Sequence, residues 1–93
     1  MPRFSQKRLD YVRSSLPIDT LIKEILKHPN KFSEGFLRFL CPGCMEFNSA
    51  VYQQTNLAYC FACKTTFNNI DFTMAIKNFA FRESVLFLES HLS

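Results

Sequence analysis

Glycine is scarce in this chain, with two among 93 residues, and proline is limited to four. A disulfide-knotted scaffold depends on tight turns and carries more of both, so that class is disfavoured. No stretch approaches the roughly 18 apolar residues of a membrane span. Residues 1–15 are polar and basic, without the apolar core of a secretory signal. The expected setting is therefore reducing and cytoplasmic, where paired cysteines read as metal ligands rather than disulfides. Catalytic hallmarks are missing too. There is no Asp-x-Asp pair and no Gly-rich phosphate loop, the usual means of holding Mg²⁺ or a phosphate for phosphoryl transfer. Asp71, Glu83 and Glu89 fall on expected helices without an acidic companion, so no catalytic residue is assigned.

What is present is a large apolar fraction, 47%, with eleven Phe and three Tyr. That excludes a disordered chain and fits one domain near the lower size limit for a single core. Domains this small commonly need a staple, and four cysteines are available for one. The net charge is +3; four thiolates around one Zn²⁺ would bring it to about +1. Arg3, Lys7, Arg8 and Arg13 face Asp10 alone in residues 1–13, whereas the rest of the chain balances seven basic with seven acidic residues. We read 1–15 as a basic polar arm, partly helical, and 16–93 as the folded domain. Such an arm permits a polyanionic partner without requiring one.

Pro17 opens a segment with apolar residues at 18, 21, 22, 25 and 26, the spacing of one helix face, ending near Lys27 and His28 and stopped by Pro29-Asn30. A loop to Gly35 is expected next, then a strand over 36–40. Residues 49–54 and 57–61 read as a hairpin turning near Thr55-Asn56, with Leu57, Tyr59 and Phe61 on one face and Ala58 and Cys60 on the other. Asn68 suits the N-cap of a helix carrying Ile70, Met74 and Phe79, and a last helix spans about 82–92. His28 and His91 lack ligand spacing to the cysteines, and Met45 and Met74 read as packing or turn residues.

The cysteines stand as Cys41-Pro-Gly-Cys44, fifteen residues, then Cys60-Phe-Ala-Cys63. Two residues between sulfurs make a knuckle whose thiolates reach one ion, and a hairpin joining two knuckles completes a tetrahedron. Four protein ligands leave no position for water, so one zinc ion in a structural role is expected. A pair of disulfides is disfavoured by the expected compartment, and a redox Cys-x-x-Cys would not explain a matched second pair. Iron uses the same four-thiolate geometry. Its knuckles usually place Gly directly after each pair, where Met45 and Lys64 stand here. The fold class that follows is α+β: a zinc ribbon with a small antiparallel sheet of three or four strands, one helix before it and two after.

The segments Tyr59-Cys60-Phe61-Ala62-Cys63, Ile70-Asp71-Phe72-Thr73-Met74 and Phe81-Arg82-Glu83-Ser84-Val85 resemble the zinc-binding domain of DnaG-type bacterial and phage DNA primases, which reads Cys-Phe-Gly-Cys, Ile-x-Phe and Phe-x-Glu-Ala-Val. The offsets agree without a gap from Cys60 to Val85, and Val51 lies where the family has the Val of its Ser-Phe-x-Val strand. The resemblance covers roughly residues 17–92. Cys44 replaces the usual second-ligand His, the loop Lys64-Thr65-Thr66-Phe67-Asn68 lacks the family's glycines, and Ser49 replaces a Phe, which implies a more polar hairpin face.

The resemblance implies a module that reads single-stranded template DNA for primer synthesis, without a catalytic core of its own and without a small-molecule substrate. A separate primase, polymerase or helicase subunit is an expected partner, and a phage or mobile element an expected setting. Single-strand binding combines aromatic platforms with cations. The candidates are Tyr52, Tyr59 and Phe61 with Arg38, Lys64, Lys77 and Arg82, although most phenylalanines in a small domain are core. The alternative is a zinc-stabilised protein-interaction module, expected from the near-neutral body and the surplus of Phe.

Overall fold

In the computed structural model, residues 4–92 are described. Two helical segments precede the strands. Ser5 caps α1 (Gln6–Ser15) by accepting a hydrogen bond from the Arg8 amide at 3.1 Å. Pro17 ends that helix and starts α2 (Ile18–Thr20), which widens into a π-helical turn over Leu21–Ile25. The five-residue spacing is made by the Leu26 amide donating to the Leu21 carbonyl at 2.8 Å. Ile18, Leu21 and Ile22 of the expected stripe are fully buried, and Ile25 and Leu26 pack at its edge.

Segment 1–15 is more than an arm over its described residues. Val12 of α1 has no exposed surface, and Leu9 and Phe4 pack against the core. The carbonyls left free at the end of α1 are taken up by two asparagines distant in sequence. Asn69 donates to Val12 and Leu16, and Asn56 donates to Arg13 and Leu16 while accepting from the Ile18 amide at 2.7 Å. Arg8 pairs with Glu89, and Phe4 meets Phe81 edge-on at 6.1 Å.

The expected loop before Gly35 contains a strand. β1 (Asn30–Ser33) pairs antiparallel with β2 (Phe36–Phe39), turning at Glu34-Gly35. β3 (Ser49–Tyr52), β4 (Leu57–Cys60) and β5 (Thr65–Phe67) form a second antiparallel sheet in the order β3-β4-β5. The ribbon is thus split into sheets of two and three strands.

Ser49 joins them. Its buried hydroxyl accepts from the Phe39 amide at 3.0 Å and donates to the Phe39 carbonyl at 2.6 Å, standing in for a backbone pair between β2 and β3. The expected polar hairpin face at Ser49 is therefore corrected: its hydroxyl is consumed inside the fold.

Asn68 caps α3 (Asn69–Lys77) in a reciprocal box with Asp71, and α3 ends at Asn78 in the left-handed region. Phe79 falls in the link to α4 (Phe81–Ser90), where Glu83 accepts from the Ala80 amide at 3.0 Å. Phe72 of α3 packs edge-on against Phe39 at 5.2 Å and Phe67 at 5.8 Å, which seats the helical layer on the inner faces of both sheets. Asp71, Glu83 and Glu89 thus serve a cap, a cap and an ion pair. The architecture is α+β with a zinc-ribbon arrangement, and no helix among the described residues is long and apolar enough to cross a membrane.

Candidate metal centre and adjoining sheet face

Cys41 follows β2, and Cys60 closes β4, so each knuckle is anchored at a strand end. His28 steadies the first one, donating from Nε2 to the Leu40 carbonyl at 2.6 Å with its ring edge-on to Phe72. Within the knuckles, the Gly43 amide points at the Cys41 sulfur and the Cys63 amide at the Cys60 sulfur, each at 3.4 Å. Such N–H donors offset thiolate charge. Gly43 has a steric reason to be glycine: a Cβ there would lie 3.2 Å from the Cys63 sulfur.

The residues directly after each pair, Met45 and Lys64, have φ of 60° and 54°. The backbone therefore takes at both positions the left-handed turn that glycine adopts most easily. Turn geometry thus does not separate this site from an iron knuckle, although the lack of Gly at those positions favours zinc.

The sulfurs of Cys41 and Cys63 lie 3.8 Å apart, those of Cys44 and Cys60 3.6 Å, and all four within 4.8 Å of one another. Bonds of ~2.3 Å at tetrahedral angles require an S–S edge of about 3.8 Å, so the four thiolates fit one zinc ion. Cys41 and Cys60 are buried, Cys44 is half-buried and Cys63 is exposed.

Proton affinity is divided unevenly among these thiols. Burial works to raise Cys60, but the Cys63 amide and the thiols of Cys41 and Cys44 outweigh it and bring Cys60 down to about 7. Hydrogen bonds with Cys44 and Cys41, with burial adding to them, push Cys63 up to about 12. Burial also raises Cys44, with its bond to Cys60 adding to the effect. One thiol is thus poised to ionise near neutrality, and a divalent cation displaces the protons held on Cys44 and Cys63.

The outer face of the three-stranded sheet carries the aromatic candidates. Ala58 and Cys60 point inward, and Leu57, Tyr59 and Phe61 outward, as the alternation required. Tyr59 pairs across the sheet with Ala50 and Thr66, and Tyr52 pairs with Leu57, which makes the two tyrosines diagonal neighbours. Tyr59 and Phe61 meet edge-on at 5.1 Å, and Phe61 is 43% exposed rather than packed beneath the metal. Phe36 of β2 meets Tyr52 at 5.6 Å and extends the row.

The cations are placed less uniformly. Lys64 is exposed on the second knuckle. Arg38 is only 19% exposed, because it donates to the Ser49 carbonyl at 2.9 Å and lies 3.8 Å from Glu34. Lys77 and Arg82 are exposed on α3 and α4, the layer behind the sheet, with the Lys77 ammonium 5.8 Å from the Phe87 ring. Sequence reasoning did not reach Ser49, Phe36 or the two asparagine clasps. Only the substitution of Ser49 for a Phe hinted at any of them.

A family description, the CHC2 zinc finger, the zinc ribbon of DnaG, matches residues 4–93. The chain belongs to the CHC2 zinc-finger family. The match takes in α1, and so reaches further toward the start than the resemblance over 17–92 did. Within this family the chain is a zinc-binding module with a cysteine, Cys44, at the second ligand position. No curated protein matches the chain.

Proposed function

We propose that this CHC2 zinc finger binds single-stranded DNA on the outer face of its three-stranded sheet, as a template-holding module in primer synthesis. The observation that carries the reading is the aromatic row Tyr52, Tyr59 and Phe61 on one solvent face beside the zinc knuckle. Bases of any sequence stack on such rings, each contributing ~1–3 kcal/mol, while cations follow the phosphates. Among the described residues, Lys64 is the free cation nearest in sequence to that row. Arg38 shares the face but is already tied to Ser49 and Glu34, and Lys77 and Arg82 would reach only a strand that wraps onto the helical layer.

Fluorescence anisotropy of the zinc-loaded protein with labelled single-stranded DNA, titrated across salt, tests this. Saturable binding that weakens with salt and drops about tenfold in Tyr59→Ala is the expected result. Absence of binding at low salt overturns it. It would favour the second reading, in which the module docks on a primase, polymerase or helicase subunit. Phe81 and Leu86, 39% and 43% exposed on α4, support that reading.

A further inference from the structure

Two open grooves meet at the β3–β4 turn. The larger, about 560 Å³, lies between the β1–β2 turn and β3, with Phe32, Phe36 and Tyr52 as aromatic walls and Gln53 and Gln54 at one end. Its volume falls in the roughly 300–1,000 Å³ range of small-molecule sites. Phe32 is 74% exposed, the most open of the large apolar side chains described. The smaller groove, about 340 Å³, is of mixed polarity and runs between the end of α1 and the same turn, lined by Arg13, Ser14, Pro17 and Thr55. Gln53 and Gln54 border both grooves, so the two form one continuous track.

We infer that this track is a nucleotide subsite. A base of a single strand enters between Phe32, Phe36 and Tyr52, and an adjoining phosphate lies along Arg13. The inference rests on the single-strand reading above, since Tyr52 belongs to both surfaces.

Three features select a nucleotide over an aliphatic side chain. Aromatic walls suit a flat π-face. At the end of the cleft stands the Gln54 amide, which has no hydrogen-bond partner among the described residues and offers a donor and an acceptor to a base edge. Arg13, beside the turn, is weakly engaged within the protein: its Nη1 is 3.7 Å from Asp10, and its buried Nε has no partner. The acidic group nearest the turn, Asp19, is occupied in accepting from Gln53 at 2.9 Å.

The test uses the whole zinc-loaded chain and oligothymidylates from about four to about twelve nucleotides, within the span of small single-strand-binding modules. Wild-type affinity is expected to rise with length until the track is filled. Phe32→Ala and Gln54→Ala, both at exposed positions, should weaken the longer oligomers about tenfold and leave the shortest unchanged. Arg13→Ala should lower the slope of log affinity against log salt by about 0.7, with Arg13→Lys retaining it.

Outcomes separate the two claims. If Tyr59→Ala weakens every length while the Phe32, Gln54 and Arg13 variants alter none, the subsite is wrong and the sheet-face reading stands. If the wild type binds no oligomer, both fall. If Phe32→Ala leaves DNA affinity intact but abolishes a self-association seen by sedimentation, the cleft is a protein-docking surface and the subsite is overturned.

Discussion

Ser49 does a backbone's work with a side chain. Removing its hydroxyl in Ser49→Ala strands the buried amide and carbonyl of Phe39, for a loss of about 2–3 kcal/mol in the denaturant-unfolding free energy of the zinc-loaded protein. Met45 bears a different stress. A left-handed non-glycine residue costs roughly 1–2 kcal/mol, and glycine gives back about 0.5–1 kcal/mol of that through its greater chain entropy. Met45→Gly should thus stabilise by up to about 1 kcal/mol, visible as a higher melting temperature. The thiols set a pH dependence. Cys60, lowered to about 7, favours its thiolate in the metal-free fold, a contribution present above its ordinary value of 9.0 and lost as pH falls through about 7. That fold is lost without zinc, so loading starts from thiols at their ordinary value of 9.0: near pH 8 it should release most of four protons, and fewer as pH rises through 9.0. Calorimetry in buffers of different ionisation enthalpy reads that number.

Among elements, α1 shows how a polar helix is held. Its outward residues are mostly polar, Lys7, Arg8 and Asp10 among them, and its inward ones are few, with Val12 the buried anchor. Capping by Asn56 and Asn69, the Phe4–Phe81 contact and the Arg8–Glu89 pair supply the rest. The bond from Arg8 holds the Glu89 carboxyl below its ordinary value. A carboxylate lowered on folding adds stability above that ordinary value, and the addition is lost as pH falls through the lowered one. Loss of the pair on acidification should thus loosen α1 from α4. Hydrogen exchange at α1 amides should rise, and Glu89→Gln should show the faster exchange already at neutral pH. The amphipathic stripe at 18–26 and the Asn68 cap were legible because their partners lie within a few residues. β1 was not, because Asn30–Ser33 is exposed over three of its four positions and shows no buried alternation.

For the molecule as a whole, the zinc ion ties strand ends from both sheets, and the core of Phe39, Phe67 and Phe72 lies beside it. Structural zinc sites contribute roughly 10–16 kcal/mol at neutral pH, more than a domain of this size holds in net stability. Chelation should consequently unfold the protein, with loss of the circular dichroism signal and of the cooperative melt. A melt unchanged after the zinc is stripped would refute a structural role. The aromatic row and the track to Arg13 likewise exist only in the assembled molecule. Their residues come from α1, both sheets and the knuckle.

The sequence by itself determined the metal site, because Cys-x-x-Cys is a local geometry whose ligand reach is set by two intervening residues. It also determined the α+β class and the inward and outward faces of β4, since period and caps are short-range properties. The tertiary structure alone decided three further matters: that Phe61 faces solvent, that Ser49 is buried as a clasp, and that α1 is docked rather than free. In each, the deciding partner is remote in the chain: Phe39 for Ser49, and Asn56, Asn69 and Glu89 for α1. Phe61 pairs with nearby Tyr59, yet its exposure depends on the helices packing on the opposite face of the sheet. Burial and hydrogen-bond satisfaction belong to the packed chain, and no local pattern encodes which distant group will supply them.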